Sequence, residues 1–337
     1  MKLNASKIKK ILVISLSNIG DVILTFPVID ILKRDFASAE VSVVVGAKAA
    51  SLFKHNPYIA EVFIYEKHKP PFKQLKWLLE LRKNNFDLVI DLRNTAIPLF
   101  LSPKYRTPLS SGGVKKIHMK EKHLNRLKNV WDFKDLSQKH YALYIGGSDK
   151  QYIDDMLKNH IEANKRFIVV GPGAANHIKR WTEEGFAKLC DELIEDYKLK
   201  IIFVGDENDK DVVSSIINKM QKHAINWVCK TTLIQLGELV SRSWSVIAND
   251  SAIMHMASYL NVPTLAIFGP TDEAKYGPWG FQGAVIRKKD LFCAPCQKSG
   301  CAYKHECMQQ LTVEEVRSVF DKIFQNVNPP HPVLNNL

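Results

Sequence analysis

The sequence predicts an α/β protein built from two doubly wound, parallel-sheet domains. Three observations carry this. Seven short β-branched apolar runs occur at Ile11–Leu16, Val41–Val45, Asp87–Leu92, Phe167–Val170, Leu199–Val204, Trp244–Ala248 and Pro263–Phe268. They are continuous rather than alternating, as expected of parallel strands buried on both faces. Helical patterns follow them, and strand–helix alternation implies right-handed βαβ units. The same plan of strand, glycine-containing turn and helix appears twice, at Ile11–Lys33 and at Phe167–Leu193. At 337 residues the chain is long enough for two domains.

The pattern lapses between Ser102 and Asn164, a charged stretch with one helical segment at Gln151–Ile161. The domain junction is therefore expected near its end, with domains at 1–160 and 161–327, facing each other across a central cleft, and a frayed tail at 328–337. The composition, 46% apolar and 24% charged, suits a soluble globular protein. The net charge of +12 favours an anionic partner: nucleic acid, an anionic membrane surface or a phosphorylated substrate. No apolar run approaches the roughly 20 residues of a membrane span. The N-terminus lacks the uninterrupted core and small-residue cleavage site of a signal peptide, so a cytoplasmic location is expected.

The first strand runs into the polar turn Ser17, Asn18, Gly20, and a helix opens with Asp21. A carboxylate at the carboxyl end of such a strand borders the crevice where α/β proteins bind ligands. Asp21 is accordingly the leading catalytic candidate, with Asn18 and Gly20 beside it. Arg93 follows another strand of the same domain and is the single cation expected to reach the ligand.

In the second domain, Gly171-Pro-Gly173-Ala-Ala-Asn forms a small-residue loop in which backbone can approach a ligand closely. Lys179 and Arg180 precede a helix start at Thr182. Amide groups, a helix dipole and a cation together suit a diphosphate; a plain turn with two solvated cations is the other reading. Asp250 or Ser251 caps the next such helix, and Ala252 and His255 lie in its first turns. A lone histidine there is more often a structural hydrogen-bonder. Asp206 and Glu207 end a further strand, either as a ribose-binding carboxylate or as a capping pair. Asp209 and Asp211 read as a solvated face. So do Lys115, Lys116, Lys120, Lys122, Arg126 and Lys128 with His118 and His123, although that basic run also suits an anionic acceptor or lipid headgroups.

Cys190 and Cys229 read as buried thiols. Cys293, Cys296, Cys301 and Cys307 form C-x2-C-x4-C-x5-C. In a reducing compartment this spacing admits a structural metal, with free thiols or a redox-labile loop as the alternative.

Taken together, these motifs resemble glycosyltransferase family 9, the heptosyltransferases of the lipopolysaccharide core. S-N-I-G-D-V-I-L-T-F-P is similar to the family's S-x-G-D-x-x-x-T-x-P. K-R-W-T-E-E-G-F resembles K-x-W-P-x-x-x-F/W, and N-D-S-A-I-M-H-M-A resembles D-T/S-G-P-M-H-L-A. V-P-T-L-A-I-F-G-P-T-D and C-A-P-C are similarly placed, so the resemblance spans residues 10 to 320. It implies a GT-B fold and an inverting transfer from ADP-L-glycero-β-D-manno-heptose to an anionic lipopolysaccharide-core acceptor (lipid A–Kdo or heptose). No cofactor is implied. The first domain would bind the acceptor, through Asn18, Gly20 and Arg93, with Asp21 as general base. The second would bind the ADP-sugar. There Lys179 would neutralise the diphosphate and Glu207 would hold the ribose. Gly173, Asp250, Ser251, Ala252 and His255 would contact the rest of the donor.

The chain departs from the family pattern at Ala252-Ile253, where the family has Gly-Pro, and at Thr182, where it has Pro. The altered loop leaves room for another donor, as in a UDP-sugar transferase or an epimerase. The enzyme is expected to associate peripherally with the inner face of the cytoplasmic membrane, as a monomer. A nucleic-acid partner is not expected, because no aromatic–basic recognition motif accompanies the charge. A nicotinamide dehydrogenase is disfavoured by the single glycine of the first turn.

Overall fold

The computed structural model describes residues 3–15, 18–109, 117–162, 165–280 and 283–326. It divides into two compact units, Met1–Gly146 and Gly147–Leu337.

The first unit contains strands β1 (Lys10–Ile14), β2 (Glu40–Gly46), β3 (Val62–Tyr65), β4 (Leu88–Asp91) and β5 (Tyr105–Arg106). Its helices are α1 (Ile19–Ile23), α2 (Phe26–Asp35), α3 (Pro71–Arg82), α4 (Ile97–Leu101) and α5 (Met119–Lys128). All strand pairs are parallel, in the order β3-β2-β1-β4-β5. The chain moves outward from β1 through β2 to β3, then returns to the other side of β1 at β4. The switch point therefore lies between the carboxyl ends of β1 and β4, the position at which open α/β sheets bind ligands.

The second unit begins with α6 (Gly147–His160). Strands β6 (Phe167–Gly171), β7 (Lys200–Phe203), β8 (Ile225–Asn226), β9 (Ser245–Asn249), β10 (Thr264–Phe268) and β11 (Gly283–Arg287) form its sheet. Helices α7 (Glu183–Tyr197), α8 (Lys210–Lys219), α9 (Leu233–Arg242), α10 (Ala252–Tyr259), α11 (Glu273–Tyr276), α12 (Glu306–Gln309) and α13 (Val313–Asn326) complete it. The sheet is again wholly parallel, ordered β11-β10-β9-β6-β7-β8, and its switch point falls between β6 and β9.

The continuous apolar runs are explained by the pleat. Along β6, Ile168 and Val170 pack into one core layer while Phe167 and Val169 pack into the other. β7 and the residue after it repeat this, with Ile201 and Phe203 opposite Ile202 and Val204. Successive side chains point to opposite faces, so a strand covered on both sides needs apolar residues at every position.

Four strands escaped the sequence reading. β5 and β8 are two residues each, β3 is half-exposed, and β11 is a partly exposed edge strand. The junction also lies earlier than expected. Helix α6 packs with the second unit: Ile153 belongs to that unit's core, and Arg242 of α9 pairs with Asp154. The lapse in strand pattern ended after this helix, which is why residue 160 looked like the boundary. The 328–337 tail lies outside the described residues.

Candidate functional site

In the first unit, the turn after β1 is braced from both ends. Ser15 Oγ and Thr25 Oγ1 are 2.8 Å apart and buried, and Thr25 Oγ1 donates to the Val22 carbonyl at 2.6 Å. Between these anchors Asn18 occupies the N-cap position of α1, Gly20 lies in its first turn, and Asp21 is partly exposed there. Ser17 lies outside the described residues. Across the switch point, Asp91 closes β4. Its carboxylate accepts the Arg93 amide at 2.8 Å and the Thr95 amide at 2.6 Å. This locks the turn that presents the exposed Arg93 side chain.

Part of the basic run is not the solvated face its composition suggested. Arg126 is 2% exposed, with Nε donating to the Asp91 carbonyl at 2.6 Å and an Nη to the Pro108 carbonyl at 2.9 Å. Arg126 thus clamps the strand end that carries Arg93. His123 is 1% exposed, and its Nδ1 has no hydrogen-bond partner. Burial pushes its imidazole down to about 3, with Arg93, Lys122 and Arg126 adding to the effect. A helix that turns a histidine and an arginine inward cannot be told from a solvated one by charge content alone. Lys115 and Lys116 lie outside the described residues.

In the second unit, the loops after β6 and β9 meet at the switch point. Lys179 Nζ lies 2.7 Å from Asp250 Oδ2, with the two side chains 31% and 8% exposed. Asn249, fully buried at the end of β9, holds this junction together. Its Nδ2 donates to the Pro172 carbonyl at 2.6 Å, and its Oδ1 accepts the Trp181 amide at 3.1 Å. Sequence reasoning passed over Asn249. The available signal was a polar residue closing an otherwise apolar strand directly before Asp250.

Ser251 is the N-cap of α10, yet its side chain makes no capping bond, and its buried Oγ has no hydrogen-bond partner. Ala252 opens the helix. His255 stacks on Trp279 at 5.8 Å, an aromatic contact the sequence did not indicate. The amino end of α10 thus joins free amides and an unsatisfied hydroxyl to the Lys179–Asp250 pair, an arrangement suited to an anion.

The Gly173 loop is packed against Asp209, and a Cβ at Gly173 would overlap that carboxylate. Asp209 is not a solvated side chain. It forms a capping box with Asp206 and lies 3.4 Å from Arg180, and burial raises its pKa. Of the two readings of the Asp206–Glu207 pair, Asp206 takes the capping role. Glu207 is exposed, 2.7 Å from Lys210, and that contact holds its carboxyl below the usual range. Cys229 is exposed, 3.5 Å from Glu207, and not the buried thiol expected; Cys190 is buried.

Cys293, Cys296, Cys301 and Cys307 line one cavity of about 110 Å³, and all are free thiols. Cys301 Sγ accepts the amides of Tyr303 and His305 at 3.3 and 3.4 Å, and burial pushes the Cys307 thiol up to about 11. Among the described residues no three or more His, Cys, Asp or Glu side chains are placed to hold a metal ion. The spacing brings the four thiols to the wall of one cavity.

Two wholly parallel sheets among the described residues, each flanked by helices and each with a switch point, place the chain in the two-domain GT-B fold class. Solved structures share this fold. The glycosyl transferase family 9 from Veillonella parvula matches with a TM-score of 0.80 and 22% identity, over 95% of this chain and 98% of that one. Escherichia coli ADP-heptose lps heptosyltransferase II matches with a TM-score of 0.72 and 22% identity, over 94% and 99%. In sequence, lipooligosaccharide heptosyltransferase 2 of Campylobacter jejuni subsp. jejuni serotype O:6 is 27% identical over 320 residues, covering 90% of this chain and 96% of the relative. The family model for glycosyltransferase family 9 (heptosyltransferase) matches residues 75–306, and the chain belongs to this family. It is a glycosyltransferase.

Proposed function

We propose that the chain is an inverting heptosyltransferase that moves a heptose from ADP-L-glycero-β-D-manno-heptose onto a lipopolysaccharide-core acceptor. Membership of family 9 supports the transfer of heptose, and the relatives named above support the acceptor class. The observation that carries the donor half is the Lys179–Asp250 pair beside the unsatisfied Ser251 hydroxyl, at the amino end of α10.

In this reading the second unit holds the ADP-sugar. An ammonium has three N–H donors, and Asp250 takes one, orienting Nζ without using up its capacity. The rest of its positive charge, the Ser251 hydroxyl and the α10 amides meet the diphosphate. They stabilise the charge that gathers there as the glycosidic bond breaks. Glu207 takes the ribose hydroxyls, His255 the sugar, and the backbone at Gly173 and Ala252 the space between.

The first unit holds the acceptor, whose hydroxyl is the nucleophile. Arg93, Asn18 and Gly20 position an anionic acceptor, and Asp21 removes the proton of its hydroxyl as attack develops. Attack opposite the leaving diphosphate inverts the anomeric centre. No described helix is long and apolar enough to cross a membrane. We place the enzyme at the cytoplasmic face of the membrane that carries its lipid-linked acceptor.

The test is a thermal-shift screen with ADP, UDP, GDP and CMP, followed by transfer to a defined core acceptor. ADP should raise the melting midpoint most, by the equivalent of about 2.7 kcal/mol at a hundredfold excess over Kd. NMR of the product should show the opposite anomeric configuration to the donor. A larger shift with UDP, or a product of retained configuration, overturns the reading.

A further inference from the structure

The outer face of α3 carries a row of exposed apolar side chains. Phe72, Leu75 and Leu79 are 69%, 50% and 49% exposed. Their i, i+3, i+7 spacing sets them in one stripe along a helix. The opposite side of α3 does the ordinary work of packing, with Leu81 buried and Trp77 against Tyr65. Soluble helices seldom turn large apolar residues outward in a row, and a contiguous patch of this kind marks an interaction surface.

Two features say what the surface meets. The first is charge. Between Glu66 and Lys83 there are six lysines and arginines against two glutamates. Lys69 is paired with Glu66. Lys73 lies 6.0 Å from the Phe72 ring centroid, and Lys76 and Lys83 fall on one border of the stripe by helical position. Apolar side chains flanked by long cationic stems match the headgroup boundary of an anionic bilayer, where the stems snorkel and the apolar groups enter the acyl region. The second feature is continuity. Beside the stripe runs a groove of about 530 Å³ between α3 and α4, lined by Gln74, Leu78, Thr95, Leu99 and Phe100. Leu99 is itself 51% exposed, and Thr95 belongs to the Asp91 turn that carries Arg93. The apolar surface thus leads to the turn assigned to the acceptor.

We infer that α3 and the α3–α4 groove dock this protein on an anionic lipid surface, with Phe72, Leu75, Leu79 and Leu99 entering the bilayer and Lys73 and Lys76 contacting headgroups. Its purpose rests on the acceptor being lipid-linked, as proposed above. The binding itself is tested with lipid alone, so its failure and the failure of the transfer reading are separate results.

The experiment is co-sedimentation of the full chain with vesicles of phosphatidylglycerol and phosphatidylethanolamine, against vesicles of phosphatidylcholine, at about 100 mM salt. The wild type should partition onto the anionic vesicles preferentially. Neutralising two cations by Lys73→Gln with Lys76→Gln should weaken partitioning roughly 30-fold. The combined Phe72→Ser, Leu75→Ser, Leu79→Ser variant should weaken it at least about tenfold. All of these side chains are exposed, so melting midpoints should stay close to wild type. Wild-type binding by either variant overturns the inference, as does a wild type that ignores anionic vesicles. Concentration-dependent self-association abolished by the triple substitution would assign the stripe to a second copy of the chain and overturn it equally.

Discussion

Lys179 Nζ and Asp250 Oδ2 stand 2.7 Å apart although 71 residues separate them in the chain. The contact exists because β6 and β9 are neighbours in the sheet, with Gly171 opposite Ala248, so that the loops leaving their carboxyl ends emerge side by side. A lysine and an aspartate far apart in sequence become one charged unit at the switch point.

That pairing predicts coupled mutants. Lys179→Ala and Asp250→Asn, alone and together, should give a coupling energy within about 0.5–3 kcal/mol in urea denaturation. The value should fall toward the lower end, because the Lys179 side chain is 31% exposed and solvent screens it. Isothermal titration should show ADP bound roughly 10- to 100-fold more weakly by Lys179→Ala, the cost of a hydrogen bond to a charged group. Strict additivity in stability, with ADP affinity unchanged, would remove the pair from the donor site.

Ser251→Ala separates binding from folding. A buried hydroxyl without a partner contributes a desolvation cost to the folded state. Its removal should leave the urea midpoint unchanged or higher. If the hydroxyl meets the donor diphosphate, ADP affinity should nevertheless drop severalfold. A stability loss with normal affinity would make Ser251 a structural cap and nothing more.

Asp21→Asn tests the base. The asparagine preserves the size of the side chain but cannot accept a proton, so turnover should fall at least ~100-fold. Donor affinity, assigned to the other unit, should change little. Near-wild-type turnover in a steady-state assay would exclude Asp21 from proton transfer.

Gly173→Ala tests the loop. The new Cβ would meet the Asp209 carboxylate, which is tied to Asp206 and Arg180 and cannot swing away freely. Overpacking of this kind costs about 1–3 kcal/mol, and the melting midpoint should fall accordingly. An unchanged midpoint would mean that the capping box is softer than its geometry suggests.

His123 predicts a pH dependence of stability. Its imidazole titrates near 3 in the folded protein, against an ordinary value of 6.5. Between those values the unfolded chain holds a proton that the folded chain does not, so stability rises with pH across this window. The contribution is fully present above about 6.5 and is lost as pH falls toward 3. Burial of His140 acts in the same direction. The wild-type slope between pH 5 and 6 should exceed that of His123→Gln by up to about 1.4 kcal/mol per pH unit. Parallel slopes in urea titrations would show that His123 is solvated.

Several elements were legible because local chemistry suffices to define them. The seven apolar runs became β1, β2, β4, β6, β7, β9 and β10, since strands buried on both faces need an apolar residue at every position. Asp21, Lys179 and Ser251 were legible as candidates because each lies at or shortly before the start of a helix that follows a strand. β5 and β8 were not legible, since two-residue strands carry no period to detect.

The sequence by itself determined the fold class, the family resemblance and the candidate loops, because those depend on residue order within a single βα unit. Only the tertiary structure decided that Asn249 ties Pro172 to Trp181, that Asp209 faces Gly173 and Arg180, and that Arg126 turns inward to the end of β4. It likewise decided that Phe72, Leu75 and Leu79 face outward. Each of these is a relation between segments distant in the chain, or a choice of which helix face is covered. Strand order and layer packing fix such relations, and neither is written in any local stretch of residues.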